Sequence, residues 1–366
     1  MKKSTLLIIS LFYAGITFGQ IVIQNVPYTE DNYSDLNFLE KELAGKRIVC
    51  LGEEWHFTET FSQIKNRIVK YLHQELGYNV IIFESSFQGA LIAQTENLKN
   101  RGRLFETVQT IWRTESVLDL MRYISKSTGK SNPIQQYGID LYGTYTDQFK
   151  LKLEGFLELN YPDLKSEILT IDSKIQEDYL AKHRGKKKFK SRVTLKEIEQ
   201  YKELLSRIEN ADNSSDYIFD KPFLSKAIEN RILLGESLIS NDFYFREKVM
   251  SDNIAWILGR LSENDKVIIW AADIHISKAQ KKTVADGDRS MIERLPANIK
   301  EAVYSLSLIP IESTPKKVKK ELMSRAERFF FYQLNENEDQ IKRGDEFDGM
   351  IVCKDVESIE NYKIEH

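Results

Sequence analysis

The sequence predicts an α/β fold, a mostly parallel central sheet flanked by helices, with a helical insertion, and three observations predict it. Short runs of branched apolar residues at 48–51, 80–83 and 267–271 are bounded by turn signals, the pattern of strands buried on both faces. Between the first two, Phe61, Ile64, Ile68, Val69 and Leu72 recur at helical spacing until Gly77 stops the run, so strand, helix and strand imply a right-handed parallel crossover. Each apolar run is followed by an acid or a histidine, and open α/β sheets place their sites at the carboxyl ends of the strands.

The chain starts differently from the rest. Lys2 and Lys3 precede an apolar run from Leu6 to Ile16, and small residues follow before Gln20, the pattern of a secretory signal over residues 1–19. Its apolar stretch is short for a bilayer span, so an exported protein, periplasmic or secreted, with no transmembrane segment after signal removal is expected. The remainder, 20–366, is read as a single domain. The whole 366-residue sequence is 42% hydrophobic, ample core material, and its formal charge of −3 provides no bulk attraction to nucleic acid. Cys50 and Cys353 each lie in an apolar run and are read as buried thiols, since two cysteines do not make a disulfide framework.

In order, residues 20–46 read as polar and irregular, with 35–43 helix-like. The first strand then ends at Gly52, and Glu53, Glu54 and His56 follow it. A second strand ends in Glu84, two helical pieces span 87–126, and Tyr137–Asp140 closes a third strand on another acid. From about 146 to 240 there is no strand signal, only amphipathic segments interrupted by the basic run at Lys186–Lys188, which is most simply a solvated loop. This is the helical insertion. An amphipathic helix from Phe245 to Leu261 feeds the fourth strand, which ends in Ala272-Asp273-Ile274-His275. Residues 302–310, 329–334 and 347–353 supply three more strands, with 316–328 helical between them.

Four strand ends therefore bring Glu53, His56, Glu84, Asp140, Asp273 and His275 toward one polar centre. A single histidine after a strand is most simply a hydrogen-bonded core residue; the pair, together with the acids, points to function. There is no Gly-x-Ser-x-Gly elbow, no Walker motif and no dinucleotide fingerprint, and neither cysteine has a base near it in sequence. By elimination the nucleophile is water activated by His or Glu, with or without a metal.

Gly52-Glu53-Glu54-Trp55-His56, Phe83-Glu84, Trp112-Arg-Thr-Glu115, Tyr137-Gly-Ile-Asp140, Arg246 to Asn253 with Trp256, Trp270 to His275 and Phe347-Asp348-Gly349, in that order, resemble the erythromycin esterase family. The resemblance implies a metal-independent hydrolase that cleaves an ester or lactone of a small molecule. In it His56 is the general base, Glu53 and Glu84 orient and polarise it, and His275 protonates the leaving alkoxide or stabilises the oxyanion. Arg246, Asp273 and Asp140 would bind substrate, Arg246 being equally well read as a structural ion pair. One departure stands out: the family pattern after the fourth strand reads His-Asn-x-His, and this chain has Ala272-Asp273-Ile274-His275. Asp273 is expected to add negative charge at the rim. Two alternatives remain open: a metal-dependent hydrolase, since two histidines and several carboxylates suit a divalent cation such as Zn²⁺ or Mn²⁺, and a non-catalytic ligand-binding member with a degenerate site.

Overall fold

The computed structural model describes residues 20–89, 105, 107–142, 147–183, 189–211, 220–240, 245–279, 289–334 and 343–359. The expected signal sequence at 1–19 and the lysine run at 186–188 lie outside the described residues. The strands are β1 (Gln20–Ile23), β2 (Ile48–Leu51), β3 (Tyr78–Ser86), β4 (Gln135–Asp140), β5 (Lys266–Trp270), β6 (Val303–Pro310), β7 (Phe329–Gln333) and β8 (Gly349–Cys353). They form one 8-stranded sheet in the order β1-β7-β8-β6-β2-β5-β3-β4. From β8 to β4 every neighbouring pair is parallel, while β7 runs antiparallel to both β1 and β8.

Both faces of the sheet are covered, which is why its strands read as continuous apolar runs. Side chains alternate strictly: Ile48, Cys50, Val80, Ile82, Val267 and Ile269 face one core, and Val49, Leu51, Ile81, Phe83, Ile268 and Trp270 face the other. The second core is closed by α1 (Phe38–Glu42), α2 (Glu59–Gln74) and α3 (Glu115–Ser127). The first is closed by α4 (Asp147–Asn160), α5 (Pro162–His183), α6 (Leu195–Asn210), α7 (Lys221–Ser240) and α8 (Arg246–Leu258). Each fully buried Leu, Ile or Phe at these interfaces contributes about 1.5–3 kcal/mol, so the helices between β4 and β5 form one whole layer of the molecule. Local signals start them: Thr114 accepts a hydrogen bond from the Val117 amide, and Thr194 with Glu197 forms a capping box.

Three details differ from the sequence reading. Gln20–Ile23 is a strand rather than irregular chain; it is a short edge strand, and its pairing with β7 across about 300 residues leaves no local trace. Glu84 lies within β3, where one extra residue against β4 between Phe83 and Ser86 forms a bulge. Asp273 and His275 stand in a short helix, α9 (Asp273–Ile276), rather than at the end of the fourth strand. Cys50 and Cys353 are buried free thiols on opposite faces of strands separated by β6, which rules out a bond between them. Among the described residues no helix is long and apolar enough to cross a membrane.

Gly52, just past β2, is where the backbone comes closest to α9. A Cβ there would lie 2.2 Å from Asp273 Oδ1 and 2.6 Å from Ile276 Cδ1. Gly52→Ala should destabilise the fold by about 1–3 kcal/mol, the usual cost of overpacking, read as a lower urea midpoint at unchanged slope.

Candidate active site

β6 is longer than β2 and carries the chain onward, because the amides of Gly52 and Glu54 donate to the carbonyls of Leu306 and Leu308 at 2.8 and 3.0 Å. That extension fixes Glu53 at the carboxyl edge of the sheet with its side chain only 1% exposed. A buried carboxylate is costly unless each oxygen is satisfied, and here both are. Oε1 accepts from the Trp112 indole at 2.5 Å and lies 3.1 Å from His56 Nδ1. Oε2 accepts from Lys65 Nζ at 3.0 Å. Lys65, fully enclosed on α2, also donates to the Ala271 carbonyl at 3.3 Å and sits 4.8 Å above the Trp270 ring. Burial lowers its pKa, and the Glu53 carboxylate works against that shift.

His56, unlike Glu53 and Lys65, is open to solvent. Its side chain is 38% exposed and its Nδ1 faces Glu53, so the tautomer with the proton on Nδ1 leaves Nε2 as a base. Glu54 is exposed beside it.

The second half of the site surrounds Glu84. Its Oε1 lies 2.7 Å from Arg246 Nη2 and 3.0 Å from His275 Nε2, and its Oε2 accepts from the Ala272 amide at 3.0 Å. Burial would raise the Glu84 pKa, but the His275 and Arg246 cations outweigh it and hold the carboxyl well below the usual range. His275 Nδ1 lies 2.6 Å from Glu247 Oε1, off the line of the N–H, so the contact is electrostatic rather than a directed hydrogen bond. With a carboxylate at each nitrogen, His275 is an imidazolium. Burial lowers its pKa, but Glu84 and Glu247 together raise it to about 10. Arg246 Nη1, 3.3 Å from His275 Nε2, is therefore a contact between two donors that share Glu84. Asp140 grips Arg246 in a fork, Nε to Oδ1 at 2.9 Å and Nη2 to Oδ2 at 2.6 Å, and Asp140 is itself held by the Gln109 amide and the Tyr142 N–H. Tyr142 places its ring 5.1 Å below the guanidinium and stacks on Tyr179 of α5, so the long helical segment reaches the edge of the site.

The two halves are joined by three backbone groups at the end of β5. The Ala271 carbonyl takes Lys65, the Ala272 amide serves Glu84, and the Asp273 amide donates to the Glu53 carbonyl at 3.0 Å. Asp273 turns its carboxyl inward, not to the rim. Oδ2 accepts from Ser307 at 2.5 Å, Oδ1 is enclosed without a partner, and burial pushes its pKa up to about 7. It does not add a solvent-facing negative charge below that pH.

The structure thus groups Glu53 with His56, and Glu84 with His275, Arg246 and Asp140, as two adjoining clusters. Among the described residues no three His, Cys, Asp or Glu side chains are grouped to hold a metal ion. Lys65, Glu247 and Gln109 were not singled out from the sequence. Lys65 carried a readable signal: it falls four residues after Phe61 and three before Ile68, on the apolar stripe of α2, where a cation must be paired.

A family model described as erythromycin esterase matches residues 73–287, more than half of the chain. The chain belongs to the erythromycin esterase family. The matched span takes in Glu84, Asp140, Arg246, Asp273 and His275 and begins after His56. YbfO of Bacillus subtilis (strain 168), provisionally named a hydrolase, is 25% identical over 303 residues, 75% of this chain and 67% of that one. An erythromycin esterase, EreC, solved as a mutant in its open conformation, superposes with a TM-score of 0.66 at 14% identity over 94% of this chain and 100% of that one. A succinoglycan biosynthesis protein superposes with a TM-score of 0.68 at 16% identity, over 92% and 95%. At such identities the two solved structures establish the erythromycin esterase α/β fold and nothing finer.

Two predictions follow from the electrostatics of this family member. Lys65→Met leaves Glu53 buried without its cation and should cost about 3–5 kcal/mol, measured by urea unfolding. The His275 pKa, raised from 6.5 to about 10, contributes stability that is complete below pH 6.5 and is lost as pH rises toward 10. The wild type should therefore lose more thermal stability between pH 6.5 and 10 than His275→Gln does; parallel curves would contradict the assignment.

Proposed function

We propose that the protein is a hydrolase of a small-molecule ester or lactone that uses His56 as general base on water, without a metal. The observation that carries the reading is the pairing of an open imidazole with an enclosed carboxylate, His56 Nδ1 and Glu53 Oε1 at 3.1 Å, with that carboxylate neutralised by Lys65. Glu53 holds the imidazole in the tautomer that leaves Nε2 free, and it stabilises the imidazolium formed when Nε2 takes a proton from water. The hydroxide equivalent attacks the carbonyl carbon, and the negative charge passes to the carbonyl oxygen. Arg246 Nη1, the guanidinium nitrogen not taken by Asp140 or Glu84, is the donor best placed to receive that charge. Collapse of the tetrahedral intermediate breaks the bond to the leaving oxygen, which takes the proton from His56.

His275 serves in this reading as a fixed cation rather than as a shuttling acid. Glu84 and Glu247, one at each ring nitrogen, raise its pKa to about 10, so it carries its charge near neutral pH. Asp140 and Asp273 act on the frame: the first aims Arg246, and the second secures the turn after β5. The basic and then apolar start of the sequence supports export of the protein.

The test is a panel of p-nitrophenyl esters and lactones assayed with wild type, His56→Ala and Glu53→Gln. Turnover by the wild type should survive a chelator, and each variant should lose about 10²–10⁴-fold in kcat with its fold intact. Unchanged turnover in His56→Ala removes the mechanism, and loss with chelator restores the metal alternative.

A further inference from the structure

Among the described residues, two that are not glycine adopt a left-handed backbone: Phe57, at φ 57°, and Asp355, at φ 52°. For a bulky residue such as Phe57 this is a genuine outlier, one that persists only where the surroundings over-determine it, and such strain gathers at functional sites. The two residues stand at either side of one contact. After β8 the chain turns at Asp355 and crosses to the loop that carries His56, about 300 positions away in sequence. There the Ile359 amide donates to the Phe57 carbonyl at 2.6 Å, Thr58 and Ser358 form an isolated antiparallel bridge, and the Glu59 amide donates to the Glu357 carbonyl at 3.1 Å. The Glu357 amide in turn donates to Thr60 Oγ1 at 2.9 Å. From the other side, the Phe57 amide donates to the Ile111 carbonyl at 3.1 Å, next to the Trp112 that donates to Glu53.

We infer that the segment 356–359 is a positioning element for His56: by gripping Phe57, Thr58, Glu59 and Thr60 it holds the strained peptide after His56 and so keeps the imidazole on Glu53. The inference rests on the proposed role of His56 and deepens it. Before His56 the loop is tied to the sheet by the Glu54 amide on the Leu308 carbonyl; its side chains at 54–57 are exposed, and past His56 it is held by the backbone hydrogen bonds of Phe57 to Ile111 and Ile359. The strap contributes no side chain to the reaction. It acts through the backbone, so a substitution that keeps the N–H is silent and one that removes it is not.

The experiment compares Ile359→Pro, which deletes the amide donor, a chain ending at Asp355, which deletes the strap, and the double variant Phe57→Gly/Ile359→Pro. With p-nitrophenyl butyrate as probe, the first two should lower kcat about 10- to 100-fold, the cost of a misplaced catalytic group, with KM within about twofold and circular dichroism unchanged. In the double variant, glycine takes the positive φ without strain, so part of the lost kcat should return. A ¹⁵N-histidine spectrum of the full chain reads the His56 Nδ1 signal directly; its hydrogen-bonded shift should be lost in Ile359→Pro and in the shortened chain. An unmoved His56 signal and unchanged kcat in both variants overturn the inference. If the wild type turns over no ester at all, the proposed function fails separately, and the histidine spectrum still decides whether the strap positions His56.

Discussion

The site depends first on the pairing of Lys65 with Glu53. Neither side chain reaches water, and a charge in that position is tolerated only with a partner at hydrogen-bonding distance and its remaining valences filled. Satisfying the Glu53 carboxylate recruits α2 through Lys65, the turn before α3 through Trp112, and His56, while the Asp273 amide at the end of β5 holds the Glu53 backbone carbonyl. The cost of leaving any of these contacts unmade ties the packing of α2 on the sheet to the position of an imidazole at its edge. Fold and site are in this sense one constraint.

Glu84 solves the same problem in another way, and the contrast separates the roles. Each carboxylate is buried, and each has an imidazole beside it. Glu53 shares its imidazole with solvent, while Glu84 and Glu247 enclose theirs and keep it protonated. On the proposed mechanism the open pair cycles, and the closed group, locked through Arg246 to Asp140, sets the field in which the cycle runs.

Much of this was legible in the sequence because it is local. The apolar runs that end in Glu53, Glu84 and Asp140, and the helical spacing of α2, depend on neighbours along the chain and named the strands and their acids. What the sequence did not give is what depends on pairing at long range. β1 is a strand only because β7 lies beside it. The extra residue that creates the bulge at Glu84 is visible only in the register with β4. That Asp140 and Glu84 hold Arg246 by three contacts is likewise visible only in the fold, since more than 100 residues separate them along the chain. Asp273 was expected at the rim, and its carboxyl instead lies inward, accepting from Ser307 beside the backbone of Gly52.

The departure at 272–273 shows why such a site can change side chains and keep its frame. What joins the two clusters there is backbone: the Ala271 carbonyl and the amides of Ala272 and Asp273. Any residue but proline supplies those amides, so an alanine at 272 keeps the frame's backbone contacts. It does change what the site presents, because the side chain at 272 is a methyl, and the carboxyl at 273 is spent on Ser307 rather than on the rim. On the proposed mechanism the consequence is specific. With His275 held as a fixed cation and no second imidazole beside it, the proton that His56 takes from water is the one that must reach the leaving oxygen. The same residue then serves as base and acid in turn, and the accuracy with which its loop is held bears on both steps.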